Sequence, residues 1–475
     1  ATELACILPW MAWAFGFACA LHVLSWSACA QVAARAGAET SARCSTDLRS
    51  AGDTCAEELG MSEDSALLQK SRRLSQPADL YMLHFIDLER YPLARCLNGT
   101  PGNYYTLRST NPASRNKWHI HLQGGGWCNP SSATPKDIRI GTPSYAGVDS
   151  CYWRKFQSSL GGSGKAAPNF TSEAAAKDFD TLLSTDKEVN PMLYDWNHAL
   201  LRYCDGGSYS GTREDVAEVW GTQVHFKGAF ILEAFHDTLS KRFNLDAATD
   251  VVFSGCSAGG LAVFLQLDRW RRLLPKSAFV AGVPDSGFFL DWHGPSGQTS
   301  QNTWASQGRV MFDAFKLRDG VNQRCVKATP EDTARCFFAQ HVAKFVATPM
   351  FISQSLHDAW QLPQILAEET DYPLVDQYAA TMRRLLLGLG WTNRSARSGR
   401  HAGRGGMVDS CYHHCFKWAL EVDGVRRIDA LGTWYAEQRA AYFENAAAPG
   451  RTEWQVYPWA NTSQCCNATS LTCMR

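Results

Sequence analysis

Charged side chains are scarce in this chain, and neither sign of charge is in excess. They make up 19% of the 475 residues, and 46 Lys and Arg balance 46 Asp and Glu, so the formal net charge is zero. Without a positive field there is nothing to attract nucleic acid or an anionic membrane surface, so we predict no nucleic-acid partner. Apolar residues reach 45%, which supports a sizeable core in a chain of this length and excludes global disorder.

The sequence also lacks the paired C-x2-C motifs of structural zinc sites, although it contains 17 cysteines. So many cysteines without zinc spacing indicate disulfides in an oxidising compartment. N-x-S/T sequons, which agree with secretion, occur at Asn98, Asn169, Asn393, Asn461 and Asn467. We therefore predict a glycoprotein that is secreted or resides in the lumen of the secretory pathway.

Residues 1–30 are predicted to form a signal peptide. Ile7–Trp26 carries no charged side chain, and Ala28 and Ala30 are the small residues that a signal peptidase requires. The same stretch is long enough for one membrane span. However, Arg35 and Arg43 behind an uncleaved anchor would favour a cytosolic position for the rest of the chain, against the sequons and cysteines. Membrane attachment is therefore expected only if this segment stays uncleaved.

The composition of residues 31–475 changes along the chain and divides them into two parts. Residues 31–78 are rich in Ala, Ser and Glu with almost no aromatic residues, which predicts a low-order linker or pro-segment, and residues 79–475 are predicted to form one domain. In that domain, short apolar runs alternate with helical patterns, which is typical of an α/β fold with a largely parallel sheet flanked by helices. The predicted strands are Trp118–Leu122, Ala199–Tyr203, Val251–Ser254, Ala278–Val283 and Met350–Ser353, and helices are predicted around Ile231–Leu239, from Leu261 onwards and over Gln377–Leu387.

A G-x-S-x-G motif stands at Gly255–Gly259, with Ser257 at its centre. By itself this motif is weak. Here it follows a buried-strand pattern and precedes an apolar helix, the context that a nucleophile elbow needs to project a serine hydroxyl. A tight glycine turn without a catalytic role is the alternative interpretation.

A serine nucleophile needs a base and an acid that orients the base, and in this type of fold they follow in the order Ser, acid, His. Asp358 fits the acid because it lies just past the predicted strand Met350–Ser353. Asp285 also follows a strand and is the rival candidate, with a turn-capping carboxylate as its structural alternative. The base is His413 or His414, and spacing does not choose between them.

Two further features bear on the chemistry. His119 and His121 share one face of a predicted strand and could ligate a metal, but no carboxylate stands at ligand spacing, so we predict no metal site. Gly124–Trp127 directly follows that strand, where lipases and esterases carry an oxyanion loop, and the second donor would be the N–H of Ala258.

Six blocks, taken together, resemble the pectin acetylesterase and Notum carboxylesterase family. They occur in the same order as in that family and cover the chain from about residue 79 onwards. The blocks are His121–Cys128, Arg202–Gly206, Ser254–Gly260, Asp285–Asp291, Ser355–Asp358 and Ser410–Cys415.

This resemblance implies an α/β-hydrolase fold with Ser257, Asp358 and His414 as triad. It implies Gly126, Trp127 and Ala258 as oxyanion donors, and its register selects His414 over His413, which we expect to line the rim of the site. Two departures are Gln123, where the family usually has Glu, and His357, which replaces a more common aromatic residue. We expect both to alter the polarity of the pocket.

Together these observations predict a secreted serine carboxylesterase that uses no metal and no cofactor. The motifs Arg202–Gly206 and Gly255–Gly260 resemble the plant pectin acetylesterases more than the Notum branch. This resemblance favours O-acetyl groups of pectin or a related polysaccharide as substrate. The alternatives are a Notum-like deacylase that removes a fatty acyl group from a protein, and an inactive homologue that binds carbohydrate or a partner.

Cysteine positions give three further expectations. Cys325 and Cys336 are the best local disulfide pair, and bridges from Cys411 and Cys415 would hold the backbone around the base. For Cys256, beside the nucleophile, two alternatives stay open: a disulfide like the others, or a small buried thiol.

Overall fold

The computed structural model of the protein describes residues 79–130, 148–294, 303–366, 372–389, 403–422, 424–444 and 451–454. The predicted signal peptide, the predicted linker and the sequons at Asn393, Asn461 and Asn467 lie outside these residues. No helix in the described ranges is both long and apolar enough to cross a lipid bilayer.

Ten strands in the described part of the chain form one central sheet. They are Leu80–Phe85 (β1), Asn103–Leu107 (β2), Lys117–Leu122 (β3), Asn169–Thr171 (β4), Asn197–Leu201 (β5), Asp250–Cys256 (β6), Phe279–Asp285 (β7), Met350–Ser355 (β8), Arg404–Asp409 (β9) and Arg451–Trp454 (β10). Their spatial order is β10-β9-β8-β7-β6-β3-β5-β2-β1-β4.

The sheet is parallel from β10 to β5 and antiparallel only at its other end. Every neighbouring pair from β10 through β9, β8, β7, β6 and β3 to β5 runs parallel. The pairs β5–β2, β2–β1 and β1–β4 run antiparallel. The predicted class, an α/β-hydrolase-type fold with a mostly parallel sheet, is confirmed.

Helices connect and cover these strands. They are Cys151–Arg154 (α1), Ser172–Asp178 (α2), Gly228–Phe243 (α3), Ala258–Leu273 (α4), Trp304–Ala314 (α5), Gln323–Ala328 (α6), Ala339–Val342 (α7), Gln361–Ile365 (α8), Tyr372–Leu387 (α9) and Arg427–Glu444 (α10). Three two-stranded ribbons pair Trp127–Asn129 with Val148–Ser150, Ala217–Val219 with Thr222–Val224, and Glu421–Val422 with Val425–Arg426.

The core lies on both faces of the sheet because successive strand side chains point in opposite directions. Val251 and Phe253 of β6 belong to the large cluster that also contains the apolar side chains of α3 and α4. Val252, between them, packs in a second cluster with Leu431 and Trp434 of α10. Helices therefore bury both faces, which explains why Val251–Phe253 in β6 is a continuous apolar run rather than an alternating one.

The predicted strands and helices all exist, and the differences are in their ends. The predicted strand Ala199–Tyr203 is observed two residues earlier, as β5. After Leu201 the backbone leaves the ladder, because the N–H of Tyr203 donates to the side-chain oxygen of Gln123, 3.1 Å away. The third helix begins at Tyr372 instead of Gln377.

This topology brings the sequence-predicted residues to one edge of the sheet. Parallel strands end on the same side, and the segments after β3, β6, β7, β8 and β9 therefore meet there. Along the chain, the strand ends and these segments carry the glycine loop, Ser257, Asp285 (the last residue of β7), Asp358 and His414.

Candidate active site

Ser257 occupies a strained turn between β6 and α4. Its backbone has φ 57° and ψ −122°, a region that residues with a Cβ rarely adopt. The turn is held because the N–H of Ser257 donates to the carbonyl of Asp285 at 2.9 Å. A side chain at Gly259 would place its Cβ 2.1 Å from the carbonyl oxygen of Leu122, so only glycine allows α4 to begin this close to β3. The elbow predicted from the sequence is the observed geometry.

His414 and Asp358 form a hydrogen-bonded pair. Nδ1 of the imidazole lies 2.9 and 2.8 Å from the two carboxylate oxygens of Asp358. Because an ionised carboxylate only accepts, Nδ1 carries the proton and Nε2 keeps its lone pair. The carboxylate is fully buried and also accepts the backbone N–H groups of Trp360 and Gln361, each at 2.9 Å. Asp358 is therefore fixed from both sides.

The environment of His414 favours its protonated form. Burial by itself lowers the pKa of His414, but the charge and hydrogen bond of Asp358 and the charge of Asp285 raise it more, so the net pKa lies above its ordinary value. An imidazole with this pKa accepts a proton readily, which is the property required of a general base.

Asp285, the rival acid, supports the backbone instead of the imidazole. Its Oδ2 accepts the N–H of Phe416 at 3.0 Å, and the neighbouring Ser286 hydroxyl accepts the N–H of Cys415 at 2.9 Å. Cys415 and Phe416 have φ of 56° and 59°, which costs conformational energy in residues with side chains. Asp285 and Ser286 thus hold the strained segment that follows His414.

His413 does not line the rim of the site, and that expectation is wrong. Its side chain is buried, and Nε2 lies 3.1 and 3.2 Å from the carboxylate oxygens of Asp409. The two adjacent histidines point in different directions, so each reaches a different aspartate. Only His414 shares the cleft with Ser257.

Hydrogen bonds to its carbonyl groups hold the glycine loop that follows β3. Arg154 donates to the carbonyls of Gly125 and Trp127, and the Tyr203 hydroxyl donates to the carbonyl of Gly126 at 2.9 Å. In a trans peptide the C=O and the following N–H point in opposite directions. The N–H groups of Gly126 and Trp127 therefore face away from Arg154 and Tyr203.

A side-chain relay joins this loop to the elbow. The indole N–H of Trp127 donates to the Ser208 hydroxyl at 2.8 Å, and that hydroxyl donates to the carbonyl of Ala258 at 2.8 Å. Ala258 begins α4, where backbone N–H groups have no acceptor within the helix. Sequence reasoning did not find Ser208 or Arg154, since neither stands at a spacing that signals contact with the loop.

A cleft of about 390 Å³ opens over these groups. Its aromatic wall continues inward, where Trp360 packs against Trp127 and Phe289 with ring centroids 5.4 and 5.3 Å apart. The Trp360 ring also stacks on the His414 ring, with centroids 6.3 Å apart and planes inclined by 29°. The lining residues are Gln123, Gly124, Gly125, Gly126, Asp178, Phe179, Cys256, Ser257, Trp360, Gln364, His414 and Phe416.

His119 and His121 belong to a buried hydrogen-bond chain beneath the elbow. His119 contacts His198 through Nδ1 at 3.0 Å and the Ser254 hydroxyl through Nε2 at 2.7 Å, and Nδ1 of His121 lies 2.9 Å from the same hydroxyl. Burial and the neighbouring His198 lower the pKa of His121 to about 3. Three of their four ring nitrogens belong to this chain, and Nε2 of His121 has no hydrogen-bond partner among the described residues.

Four disulfides join described cysteines: Cys96–Cys204, Cys128–Cys151, Cys256–Cys415 and Cys325–Cys336. The predicted local pair is confirmed. Of the two alternatives for Cys256 the disulfide is the observed one, since this residue is bonded to Cys415 across a separation of 159 residues. A bridge at Cys415 was expected, whereas Cys411 is buried with its N–H donating to Asp409 at 2.8 Å.

The two departures from the family pattern have different consequences. Gln123 lines the cleft, and its side-chain oxygen accepts from Arg202 at 2.8 Å. His357 is buried behind the site with Nδ1 donating to the Ser410 carbonyl at 2.6 Å, so the expectation that it alters the pocket is wrong. Of the sequons in the described residues, Asn98 and Asn169 are both exposed.

A strand, elbow and helix with the candidate acid and base on later strands define the α/β-hydrolase class. The sequence profile of the pectinacetylesterase family matches residues 74–449, and the chain belongs to this family. It is 29% identical over 392 residues to pectin acetylesterase 5 of Arabidopsis thaliana, covering 78% of this chain and 84% of that protein. It is 26% identical over 397 residues to the palmitoleoyl-protein carboxylesterase Notum of Schmidtea mediterranea, covering 79% and 68%. The protein is a carboxylic ester hydrolase.

Proposed function

We propose that this esterase removes O-acetyl groups from pectin or a related polysaccharide through Ser257, His414 and Asp358. The observation that carries the proposal is the hydrogen bond between His414 and Asp358 in the cleft that also exposes the elbow at Ser257. Ser257 and His414 line this cleft, and Asp358 holds His414 from its buried side, which suits the roles of nucleophile, base and orienting acid.

The mechanism follows from these positions. The hydroxyl of Ser257 attacks the ester carbonyl while Nε2 of His414 takes its proton, and Asp358 stabilises the imidazolium. The N–H groups of Gly126, Trp127 and Ala258 stabilise the oxyanion. His414 then protonates the leaving alcohol, and water hydrolyses the acyl-enzyme by the reverse proton transfers. No step needs a metal or a cofactor.

A short acyl group fits the described cleft better than a fatty one. A fatty chain requires a deep apolar pocket, whereas many of the lining residues are glycines or polar side chains. The space behind Trp127 is filled, because Phe289 and Trp304 pack against its ring at 4.8 and 4.4 Å and both are fully buried. The names of relatives such as pectin acetylesterase 5 support the acetyl group as the short acyl group.

Secretion is part of the proposal. Four disulfides among the described residues favour an oxidising compartment. The exposed side chains of Asn98 and Asn169 agree with glycan attachment.

A substrate panel tests the proposal. We expect the protein to release acetate from acetylated pectin or acetylated xylan, and to prefer nitrophenyl acetate over longer nitrophenyl esters. Ser257→Ala should abolish both activities and prevent labelling by an organophosphonate, while Ser158→Ala, at an exposed serine, should change neither. Preference for long-chain esters would indicate a Notum-like deacylase, and no hydrolysis of any ester would indicate a binding protein.

A further inference from the structure

The disulfide between Cys256 and Cys415 lies at the centre of the candidate active site. Cys256 directly precedes Ser257, and Cys415 directly follows His414. Cys256 also lines the cleft, although it is only 5% exposed. The bond therefore lies beside the cleft and directly next to both Ser257 and His414.

We propose that reduction of this disulfide creates a zinc site formed by Cys256, Cys415 and His414. One side-chain atom from each of the three residues, a sulfur or a ring nitrogen, lies within 4.8 Å of the other two. In a tetrahedral zinc site with Zn–S near 2.3 Å and Zn–N near 2.0 Å, ligand atoms are roughly 3.5 to 3.8 Å apart. Small side-chain rotations are thus enough to form the site.

The reduction step balances with a dithiol as the reductant. The dithiol supplies two electrons and two protons, the Cys256–Cys415 bond breaks to give two thiols, and the dithiol becomes a disulfide. Zn²⁺ then binds both sulfurs as thiolates, and two protons are released to solvent.

The tautomer of His414 suits a zinc ligand. Its Nδ1 donates to the Asp358 carboxylate, which leaves Nε2 for a metal. A carboxylate on the far nitrogen fixes the tautomer and raises the basicity of a ligating histidine. The cleft supplies the fourth coordination position, which is open to water.

The backbone that carries the two cysteines has other supports, so reduction need not separate them. Cys256 ends β6, in the middle of the sheet. Cys415 donates its N–H to Ser286, and Phe416 donates to Asp285. These bonds keep both sulfurs near His414 once the covalent link is gone.

Zinc at this position would inhibit ester hydrolysis. A metal on Nε2 occupies the lone pair that the proposed mechanism uses to deprotonate Ser257, so this consequence rests on the proposed function. We expect one equivalent of Zn²⁺ to lower turnover of the reduced enzyme by about 100-fold or more, since a triad without its base keeps only residual activity. Chelation should restore turnover, and the oxidised enzyme should respond neither to Zn²⁺ nor to EDTA.

Co²⁺ is the spectroscopic probe for the site. The full chain is reduced with dithiothreitol, freed of it under argon and titrated with Co²⁺, with circular dichroism to verify the fold. We expect one equivalent to produce thiolate-to-cobalt absorption that Zn²⁺ abolishes. The band should be absent in Cys256→Ser/Cys415→Ser and retained in Cys325→Ser/Cys336→Ser, which removes a disulfide elsewhere in the described chain.

Alkylation of reduced wild-type protein gives a second readout that needs no variant. We expect Zn²⁺ to protect Cys256 and Cys415 from iodoacetamide, as read by mass spectrometry. Equal alkylation with and without Zn²⁺, or the same cobalt spectrum in the Cys256→Ser/Cys415→Ser variant, overturns the site. Metal binding without any loss of turnover would support the site and instead contradict the proposed role of His414 as base.

Discussion

Nε2 of His413 lies 3.1 Å from Oδ1 of Asp409, in a buried pair next to the pair formed by His414 and Asp358. The guanidinium of Arg427 also donates to Asp409. Burial raises the pKa of Asp409, but the charges of His413 and Arg427, with the hydrogen bonds it accepts, lower it to about 2. The bond from Arg427 ties the end of β9 to α10, and the pair with His413 holds the segment that follows β9, so the role of Asp409 is structural.

The two histidines should differ in what their loss changes. We expect His414→Ala to lower kcat by roughly 10³-fold or more, because a triad without its base keeps only residual activity. His413→Ala should cost about tenfold or less in kcat but lower the melting temperature, since it leaves Asp409 buried with one partner fewer. Kinetics on a soluble acetate ester and thermal melts decide this, and a larger kinetic loss in the His413 variant would reverse the assignment.

Asp358 and Asp285 should likewise differ in how far their substitution lowers kcat. Asp358→Asn keeps the shape of the side chain but presents an amide to Nδ1 and favours the wrong tautomer, so we expect kcat to fall by about 10⁴-fold. Asp285→Asn should reduce kcat less than 100-fold, because Asp285 supports Phe416 and Ser353 rather than the imidazole. Steady-state kinetics of both variants test this, and comparable losses would make Asp285 part of the proton relay.

The pH dependence of activity should follow His414. Ester attack requires neutral Nε2, and the pKa of His414 lies above its ordinary value of 6.5. As pH falls through this raised pKa the imidazole is protonated, so kcat/KM should fall with a midpoint above 6.5. Without the Asp358 charge the midpoint should move to lower pH in the residual activity of Asp358→Asn. An unchanged midpoint in that variant would show that another group controls the profile.

Acid should destabilise the fold through the histidines beneath the elbow. Burial lowers the pKa of His198 to about 4, and burial together with His198 lowers that of His121 to about 3. Unfolded histidines take up protons near pH 6.5, so the unfolded state binds more protons below that pH. We expect the free energy of unfolding to fall steadily from pH 6.5 towards 4.

A substitution of His121 separates the histidine contribution to the acid-induced loss of stability from the contribution of the carboxylates. In His121→Asn the amide nitrogen can still donate to Ser254 but does not titrate, so the decline between pH 6.5 and 4 should be shallower. Urea unfolding at pH 8, 6 and 4 compares the variant with wild type. Identical slopes would mean that His121 takes up protons equally in the folded and unfolded states, which contradicts a lowered pKa in the fold.

Local patterns were sufficient for the main elements of the fold. The strand pattern before Gly255 and the apolar helix after it predicted β6, the elbow and α4, because small residues and apolar periodicity act over a few neighbouring positions. The order of Ser257, Asp358 and the histidine pair also followed from the chain alone. The ends of β5 were less predictable. A hydrogen bond from the N–H of Tyr203 to Gln123, which lies far away in the sequence, follows the last residue of the strand.

Contacts between distant residues decided the details of the site. No spacing shows that Cys256 pairs with Cys415, 159 residues away, because a disulfide depends on where two strand ends meet in space. Likewise, the residues alone left His413 and His414 as equal candidates for the base.

What the amino-acid sequence determined by itself was the class of chemistry: a serine elbow, a glycine loop and a downstream acid and histidine on an α/β scaffold. The tertiary structure decided which side chains share the cleft. Adjacent residues such as His413 and His414 have nearly the same sequence context, but the backbone turns one towards Asp409 and the other towards Asp358. That choice depends on the positions of β8, β9 and the Cys256–Cys415 bond, which exist only when the sheet has assembled.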